Sequence, residues 1–190
     1  MARTSLTARA RDRVLNDEDI RALWRTLEQT PYPFGPFIQL LLLTAQRRDE
    51  VAQMRWSELD GDVWVIPRER YKSGRANAVP LSEPVQRILS SIPRTSEYVF
   101  TTTGRSPISG FSKAKAAIDK ASGVTGWRLH DLRRTARSLM SRAGVSSDIA
   151  ERVLGHVIPG VAGVYDRHNY ISEKRDALRK LSAEITKVAA

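Results

Sequence analysis

The stretch that decides the fold reads FIQLLLLTA and runs from Phe37 to Ala45. Its residues are apolar nearly all the way round a helical wheel, which is typical of a helix buried at the centre of a domain. Four charged residues, Arg47-Arg48-Asp49-Glu50, follow almost at once. The sequence therefore predicts a core helix, with charged side chains emerging from the interior where it ends or passes into the next helix.

Amphipathic segments on both sides of this stretch predict further helices. The first begins at Asn16, where a capping cluster precedes apolar residues at helical spacing, and it stops before Pro31. Five more segments have the same 3.6-residue period or clear helix-end signals. They cover residues 84–92, 110–121, 128–143, 147–154 and, near the C-terminus, 170–188. Helices therefore account for most of the chain.

The pattern changes to a short sheet between residues 60 and 81. Alternating β-branched and apolar residues predict one strand at 63–66 and another at 78–81, joined by a strongly basic hairpin over residues 68–75. Acidic residues and a glycine in Asp60-Gly61-Asp62 resemble part of a calcium loop, but their short span favours a turn before the strand. The predicted class is mainly α with a small antiparallel β-sheet, that is α+β.

Composition limits the classes of partner. The chain has 190 residues, enough for one well-packed domain, and carries 31 Lys and Arg against 21 Asp and Glu, a formal net charge of +10. This excess favours a polyanion such as DNA or RNA. No apolar run approaches the roughly 18 residues that a transmembrane helix requires, so we expect no membrane role.

Two absences concern cofactors. The chain contains no cysteine, which excludes disulfides and thiolate metal sites and is compatible with a reducing cytoplasm. It also lacks a P-loop and a cluster of His and acidic residues at metal-ligand spacing. We therefore expect no metal ion and no nucleotide cofactor.

The N-terminal segment is basic. Residues 1–15 contain Arg3, Arg9, Arg11 and Arg13 against the single acid Asp12. This composition suits an organelle transit peptide, a solvated arm or a linker remnant, and the absence of an apolar face beside the arginines favours the arm or linker. We expect residues 16–190 to form the folded domain.

Basic side chains project from one predicted helix in a way that suits a phosphate. His130 and Arg133 are three residues apart and lie on one helical face, and Arg137 follows one turn later. A helix anchored by an apolar stripe is a rigid support for a phosphate-binding group. An isolated pattern of this kind also occurs on ordinary basic surface helices.

A second candidate lies at the end of the core helix, where Arg47 precedes Glu50 by three residues. The planar fork of a guanidinium suits two non-bridging phosphate oxygens, and a neighbouring carboxylate can orient it. The alternative is an ordinary salt bridge at a helix end. In the basic hairpin, Lys72 could protonate a leaving alkoxide, although simple attraction for phosphate would also explain it.

The third candidate set combines His156 with Tyr165, nine residues later. A phenol with a pKa near 10 needs a base and neighbouring positive charge before it attacks phosphorus. The alternative for Tyr165 is a half-buried aromatic residue with a hydrogen-bonded hydroxyl.

Taken in order, these motifs resemble the catalytic domain of the tyrosine recombinase, or phage-type integrase, family. The resemblance spans roughly residues 16–181, nearly all of the chain, and rests on the order and spacing of the motifs. The matching residues are Thr44-Ala45-Gln46-Arg47 with Glu50, Lys72 before the second strand, His130 with Arg133, Leu154-Gly155-His156, and Tyr165. The ending from Tyr165 to Tyr170 is similar to that of prophage and genomic-island integrases.

The match departs from the family pattern at two points. Ala45 stands where the family usually has glycine, and Arg47 and Arg48 both offer a guanidinium. Arg47 is chosen because it lies three residues before Glu50, whereas Arg48 would point about 100° away on a helix. Tyr165 is preferred to Tyr170 because of its interval from His156.

The resemblance implies a metal-free and ATP-free mechanism. Arg47, Arg133 and His156 would hold the scissile phosphate, while His130 would assist proton removal or bind phosphate. Tyr165 would attack to form a 3′-phosphotyrosine, and Lys72 would protonate the departing 5′-hydroxyl. Further basic residues are expected to bind DNA: Arg48, Arg70, Arg75, Arg134 and Arg137.

The resemblance also implies partners. Double-stranded DNA is the expected substrate, bound by a homotetramer, with a DNA-bending accessory protein as a possible further partner. The helix from Ile171 to Val188 is the candidate exchange helix between neighbours. Family members usually carry an N-terminal core-binding domain that residues 1–15 cannot accommodate. The expected location is the bacterial cytoplasm, on the nucleoid.

Two alternatives remain open at this point. A type IB topoisomerase shares much of this chemistry but relaxes supercoils without a defined site. A catalytically silent DNA-binding module would explain the net charge without using Tyr165.

Overall fold

The computed structural model of the protein describes residues 12–71, 74, 76–156 and 169–190. The helices follow one another along the chain as α1 Asp17–Gln29, α2 Phe34–Thr44, α3 Arg48–Ala52, α4 Glu83–Ser91, α5 Phe111–Ser122, α6 Leu129–Arg142, α7 Ser147–Leu154 and α8 Ile171–Ala189. A short 3-10 helix, Trp56–Glu58, and three strands, β1 Leu59–Asp60, β2 Val63–Ile66 and β3 Asn77–Pro80, lie between α3 and α4. The predicted α+β class is confirmed.

The apolar stretch after Pro36 forms the centre of the core, as predicted. Phe37 and Leu40 of α2 are fully buried, and the helix packs against α1, α6 and α8. Helices on several sides explain why its apolar surface extends round the whole wheel rather than along one stripe. The helix therefore fixes the position of the charged segment that follows it.

Helix α1 begins at a capping box. The backbone N–H of Asp19 donates to the Asn16 side chain at 2.8 Å, and the Asp19 carboxylate accepts from the Asn16 backbone. Just before the cap, Leu15 is 3% exposed, and its backbone N–H donates to the Thr135 hydroxyl of α6 at 3.0 Å. The packed body thus includes at least this last residue of the predicted basic arm.

The sheet is antiparallel with the order β1-β2-β3. Gly61 has a φ of +57°, a backbone region that favours glycine, and makes the turn between β1 and β2, so the predicted turn before the strand is confirmed. The prediction missed β1, because a strand of two residues contains no alternating pattern. Strand β3 pairs with β2 from Val63 opposite Pro80 to Ile66 opposite Asn77.

Helix α8 packs within its own chain. Its apolar stripe, which includes Leu178, Leu181 and Ile185, is buried against α1, α6, α7 and β3. The apolar stripe of α8 is thus covered within a single chain, and the exchange of this helix between neighbouring molecules stays a prediction. Periodicity shows that a helix has an apolar face, but it does not show which chain covers that face. Within the described ranges, no helix is both long and apolar enough to cross a bilayer.

Candidate active site

The site begins where α2 ends. Ala45 adopts a left-handed conformation with a φ of +57°, which turns the chain sharply before α3. A side chain in this region is strained by about 1–2 kcal/mol, and glycine avoids that strain. This strain explains why the family that the sequence resembles usually has glycine at this position. The turn makes Arg47 the N-terminal cap residue of α3 rather than a continuation of α2.

Glu50 holds Arg47 by two contacts. Its carboxylate accepts a hydrogen bond from the Arg47 guanidinium at 2.8 Å and another from the Arg47 backbone N–H at 2.9 Å. The Glu50 side chain is 4% exposed, whereas that of Arg47 is 24% exposed. Burial lowers the pKa of Arg47, but the Glu50 hydrogen bond and charge outweigh it, and the net pKa is raised. The cation is therefore permanent and oriented toward the surface.

Arg133 joins two distant turns. Although it lies on α6, its guanidinium donates to the carbonyl oxygen of Ala45 at 2.7 Å and to that of Leu154 at 2.6 Å. The residue is only 5% exposed. Burial and the charge of Arg47 lower its pKa to about 10, so it stays protonated at neutral pH. Two guanidinium groups thus lie near each other, and an anion between them would relieve their repulsion.

His156 follows the end of α7 and faces this pair. Its Nε2 lies 3.1 Å from Nη2 of Arg133, and its Nδ1 lies 2.5 Å from the Glu151 carboxylate. A carboxylate only accepts, so Nδ1 carries a proton, and Nε2 is the ring nitrogen that points toward Arg133. Glu151 also accepts from Arg137 at 2.8 Å. Burial raises the pKa of Glu151, but the hydrogen bonds from Arg137 and His156 lower it overall.

His130 lies in the first turn of α6 at the mouth of a cleft. Burial and the charges of Arg134 and Arg133 lower its pKa, so the ring is neutral at pH 7. The cleft has a volume of about 580 Å³ and contains the basic residues Arg47, Arg48, Lys115 and Arg128 beside His130, with Asp49 as its acid. Lys115 and Arg128 were not predicted as site residues. The cleft therefore continues the positively charged surface from Arg47 to Lys115 and Arg128.

Tyr71 lies at the centre of the cluster and was also not predicted. It is 4% exposed, and its hydroxyl donates to the Leu154 carbonyl at 3.1 Å. The Arg47 guanidinium carbon lies 5.4 Å from the centre of its ring. Burial and the nearby Glu50 carboxylate raise the pKa of Tyr71, so the phenol stays protonated at neutral pH.

A buried polar chain supports Tyr71 from the side of the sheet. The Asn77 amide donates to the Tyr71 hydroxyl at 3.2 Å and to Gln46 at 3.3 Å. Lys174 of α8 donates to the Asn77 side-chain oxygen at 2.8 Å and also to the carbonyl of Ala78. Lys174 is 6% exposed, and burial with the charge of Arg152 lowers its pKa to about 8.

These supporting residues left weak signals in the sequence. Lys174 falls on the same stripe as Leu178 and Leu181, where a charge is unexpected in a core helix. Tyr71 and Asn77 flank the hairpin residues 72–76, and nothing in their spacing indicates that they meet. Glu151 is five residues from His156 but across a helix end, so helical periodicity does not connect them.

The structure brings together Arg47, Glu50, Arg133 and His156, and His130 borders the same cluster. Three predicted site residues, Lys72, Arg75 and Tyr165, lie outside the described residues. Tyr71, which directly precedes Lys72, and His156, the last described residue before Tyr165, both belong to the cluster.

The remaining predicted DNA-binding arginines all have protein partners. Arg48 contacts Asp49 and its guanidinium lies 5.1 Å from the Phe111 ring centre. Arg70 pairs with the Glu58 carboxylate and is 16% exposed. Arg134 and Arg137 pair with acidic residues of α6 and α7, at 2.7 and 2.8 Å. Arg48 is the most exposed of these, at 48%.

This arrangement suits a phosphodiester. Two guanidinium groups and an imidazole converge from α3, α6 and the end of α7, and each is held by a carboxylate or a carbonyl. Such pre-oriented donors stabilise charge that develops on phosphate oxygens. Among the residues the structure describes, no group of three or more His, Asp or Glu could hold a metal ion.

Comparison with known proteins indicates the same family as the sequence motifs. The Phage integrase family model matches residues 13–171. Prophage integrase IntZ of Escherichia coli strain K12 is 30% identical over 182 residues, covering 90% of this chain and 44% of that relative. Prophage integrase IntA of the same strain is 31% identical over 145 residues, 73% of this chain and 35% of that relative. The chain spans less than half the length of both.

Solved structures share the fold. The integrase from mycobacterium phage Brujita has a TM-score of 0.69 and 19% identity, covering 96% of this chain and 65% of that one. The lambda integrase catalytic core has a TM-score of 0.62 and 23% identity, covering 80% of this chain and 95% of that one. Because the family model matches most of the chain and the motifs occur in the family's order, the protein belongs to the phage integrase family.

Proposed function

We propose that this chain is the catalytic domain of a site-specific DNA recombinase that cleaves and rejoins strands through a 3′-phosphotyrosine on Tyr165. The observation that carries the proposal is the meeting of Arg47, Arg133 and His156 at one place, although 109 residues separate the first from the last in sequence. A silent DNA-binding module has no need to hold these three side chains together in a partly buried pocket.

Each residue has a role that its surroundings support. Arg47 and Arg133 bind the non-bridging oxygens and stabilise the charge of the transition state. His156 presents Nε2 to the same phosphate, and neutral His130 assists removal of the phenol proton or contacts the phosphate. Lys72 protonates the leaving 5′-hydroxyl. The covalent link conserves the bond energy, so rejoining uses neither ATP nor a metal ion.

Double-stranded DNA is the proposed substrate, and a homotetramer on DNA is the proposed working form. The lambda integrase neighbours support this, since one is a dimer bound to a core site and another a tetramer bound to a Holliday junction. In this proposal residues 16–190 are the catalytic domain and residues 1–15 a basic arm or linker. The protein acts on nucleoid DNA in the bacterial cytoplasm, with or without a DNA-bending partner.

Covalent capture tests the proposal without knowledge of the target sequence. The protein is incubated in EDTA with a pool of nicked duplexes that contain a randomised segment, and protein-linked DNA is isolated under denaturing conditions. In this pool, cleavage near the nick releases a short fragment and traps the phosphotyrosine. We expect a covalent adduct, and sequencing of the trapped DNA should return one preferred motif.

The matched control uses the two tyrosines near the C-terminus. Tyr165→Phe should abolish the adduct, whereas Tyr170→Phe should leave it in place. An adduct that requires a divalent metal ion, or that persists in Tyr165→Phe, would overturn the proposed chemistry. Relaxation of an arbitrary supercoiled plasmid, with no sequence preference in the trapped DNA, would indicate a type IB topoisomerase instead.

A further inference from the structure

We propose that Tyr71 is a positioning residue that sets the spacing between the two phosphate-binding arginines, Arg47 and Arg133. The inference rests on the proposed function, because it assigns the residue a part in that reaction. Tyr71 does not touch the reacting atoms in this scheme. It acts through the side chains and the carbonyl that it contacts.

The hydroxyl of Tyr71 and the guanidinium of Arg133 share one acceptor. The carbonyl oxygen of Leu154 accepts from Tyr71 at 3.1 Å and from Arg133 Nη2 at 2.6 Å. The same Nη2 lies 3.1 Å from His156. A carbonyl has two lone pairs, so both donors are satisfied only when the phenol approaches from one side and the guanidinium from the other. The phenol thereby defines the direction available to Arg133.

The ring of Tyr71 contacts the other arginine. The Arg47 guanidinium lies 5.4 Å from the ring centre, within the range of a cation–π interaction. The charge of Arg47 lowers the pKa of Arg133, as expected of two neighbouring cations. Tyr71 contacts Arg47 through its ring and shares the Leu154 carbonyl with Arg133, so one buried side chain can hold both arginines without adding a second negative charge beside Glu50.

Tyr71 itself is held from the far side. The Asn77 amide donates to its hydroxyl at 3.2 Å, and Lys174 holds the Asn77 side-chain oxygen at 2.8 Å. The hydroxyl therefore donates to Leu154 and accepts from Asn77, and a side-chain hydrogen bond with Arg47 is among the influences that lower its pKa. Because Leu154 ends α7 and Asn77 lies on β3, where α8 holds it, the surroundings of the phenol are fixed by three elements, as positioning requires.

Tyr71→Phe tests the proposal because it keeps the ring and removes the hydroxyl. The substrate is a nicked duplex that carries the motif recovered by covalent capture. We expect the single-turnover rate of adduct formation to fall about tenfold, the effect of losing one hydrogen bond of roughly 1.4 kcal/mol at the transition state. DNA affinity should change less than about twofold, because it is distributed over many phosphate contacts.

A neutral substrate separates positioning from general damage. In a methylphosphonate, a methyl group replaces one non-bridging oxygen at the scissile position, so the arginines have less charge to stabilise. The native protein should cleave the phosphodiester much faster than the methylphosphonate. Tyr71→Phe should reduce this ratio of the two cleavage rates. A merely less stable protein would lose both rates equally, and an unchanged ratio would overturn the proposal.

Tyr32→Phe is the matched control. The hydroxyl of Tyr32 also donates to a backbone carbonyl, that of Val99, at 3.2 Å, and it accepts from the Thr101 backbone at 3.0 Å. Because Tyr32 is 40% exposed, removal of its hydroxyl should change the thermal stability by no more than Tyr71→Phe does. It should leave the ratio of phosphodiester to methylphosphonate cleavage rates unchanged. An equal effect of both variants on the ratio would contradict the inference.

A readout without DNA keeps the inference testable if no adduct forms at all. In that case the proposed function fails, but the geometry still predicts that the hydroxyl positions Arg133 beside His156. Ring signals of His156 in ¹H–¹⁵N NMR spectra should shift in Tyr71→Phe and stay in place in Tyr32→Phe. Unmoved signals in both variants would refute the positioning role independently of the recombinase activity.

Discussion

Gly155 lies directly against the phenol of Tyr71. A Cβ added to Gly155 would come within 1.4 Å of the Tyr71 hydroxyl oxygen and 2.5 Å of its ring carbon Cζ. Gly155 also has a φ of +65°, in the left-handed region that favours glycine. The glycine of the Leu154-Gly155-His156 motif is therefore required twice, once by the backbone turn and once by a side chain from the basic hairpin.

Gly155→Ala should reduce both stability and activity. The left-handed backbone alone disfavours alanine by about 1–2 kcal/mol, and displacement of the packed phenol adds a similar amount. Chemical denaturation should show a loss of about 2–4 kcal/mol. The control is Gly123→Ala at the end of α5, which has a φ of +74° but nothing within 4 Å of the added Cβ. Equal losses at both glycines would show that Tyr71 plays no part.

Glu151→Gln should slow strand cleavage without abolishing DNA binding. The carboxylate orients His156 through Nδ1 and also holds Arg137, so its loss frees the imidazole to rotate. We expect adduct formation to slow by about tenfold, which corresponds to 1.36 kcal/mol. Asp148→Asn is the control, since Asp148 lies on the same helix and pairs with Arg152 at 3.0 Å. An unchanged rate in Glu151→Gln would remove the assigned role.

The same variant should also show a defined pH dependence of stability. Hydrogen bonds from Arg137 and His156 outweigh burial and lower the pKa of Glu151 from its ordinary value of 4.5. A carboxylate with a lowered folded-state pKa stabilises the protein above pH 4.5, and this contribution disappears as the pH falls through the lower folded-state value. The difference in unfolding free energy between the native protein and Glu151→Gln should therefore shrink below pH 4.5.

Arg70 and Arg48 should differ in what they contribute, although both were predicted to bind DNA. Arg70 is 16% exposed and pairs with Glu58, which is 8% exposed and also accepts from Trp64 at 2.9 Å. Arg70→Ala leaves a buried carboxylate without its cation and should reduce the unfolding free energy by about 3 kcal/mol. Arg48→Ala, at a residue whose side chain is 48% exposed, should reduce it by less than about 0.5 kcal/mol.

The salt dependence of DNA binding distinguishes these two arginines further. If Arg48 contacts a phosphate, Arg48→Ala should reduce the slope of log K against log salt by about one, whereas Arg70→Ala should leave the slope nearly unchanged. Fluorescence anisotropy at several salt concentrations measures both slopes. The reverse pattern would mean that Arg70 leaves Glu58 to bind DNA.

Lys174→Met should reveal a pH-dependent contribution to stability. Burial, with the charge of Arg152, lowers the pKa of Lys174 from 10.5 to about 8. Above pH 8 the folded protein releases this proton while the unfolded chain keeps it up to about pH 10.5, so the unfolding free energy rises in this window. Relative to Lys174→Met, the native protein should gain stability between pH 8 and 10.5.

The control for this experiment lies two turns further along the same helix. Lys180 is 38% exposed and contacts Asp176 at 2.9 Å. Lys180→Met keeps Lys174 and should retain the rise in unfolding free energy between pH 8 and 10.5. A rise that also persists in Lys174→Met would mean that it does not come from the buried ammonium of Lys174.

Much of the fold follows from local patterns. Most predicted helix boundaries are correct to within one residue, because caps, glycines and apolar stripes are local signals that each helix carries by itself. The exception is α2, which begins at Phe34, three residues before the predicted apolar stretch, and no bounds were predicted for the short helix α3. Strand β1 was missed for the complementary reason: two residues such as Leu59 and Asp60 pair with β2 only because the Gly61 turn brings them together. The apolar stripe of α8 was predicted, but its packing against α1, α6, α7 and β3 was not, because an apolar face does not identify what covers it.

The candidate site also has a part that the sequence predicted and a part that only the structure revealed. The types and order of Arg47, His130, Arg133 and His156 were sufficient to identify the family, since chemistry on a phosphate needs those groups and their spacing is readable. The residues that hold these side chains in place could not be identified from the sequence. Tyr71, Asn77 and Lys174 come from a hairpin, a strand and a distant helix, and they share hydrogen bonds only after folding.

By itself, the sequence determined which groups are present for the chemistry and which segments form helices, because both depend on residue identity and short-range periodicity. Only the tertiary structure decided which donors share the Leu154 carbonyl, which arginines pair with buried carboxylates, and which elements of the chain pack against α8. The physical reason is that hydrogen bonds and burial depend on distances between residues far apart in the chain, and no local pattern encodes those distances.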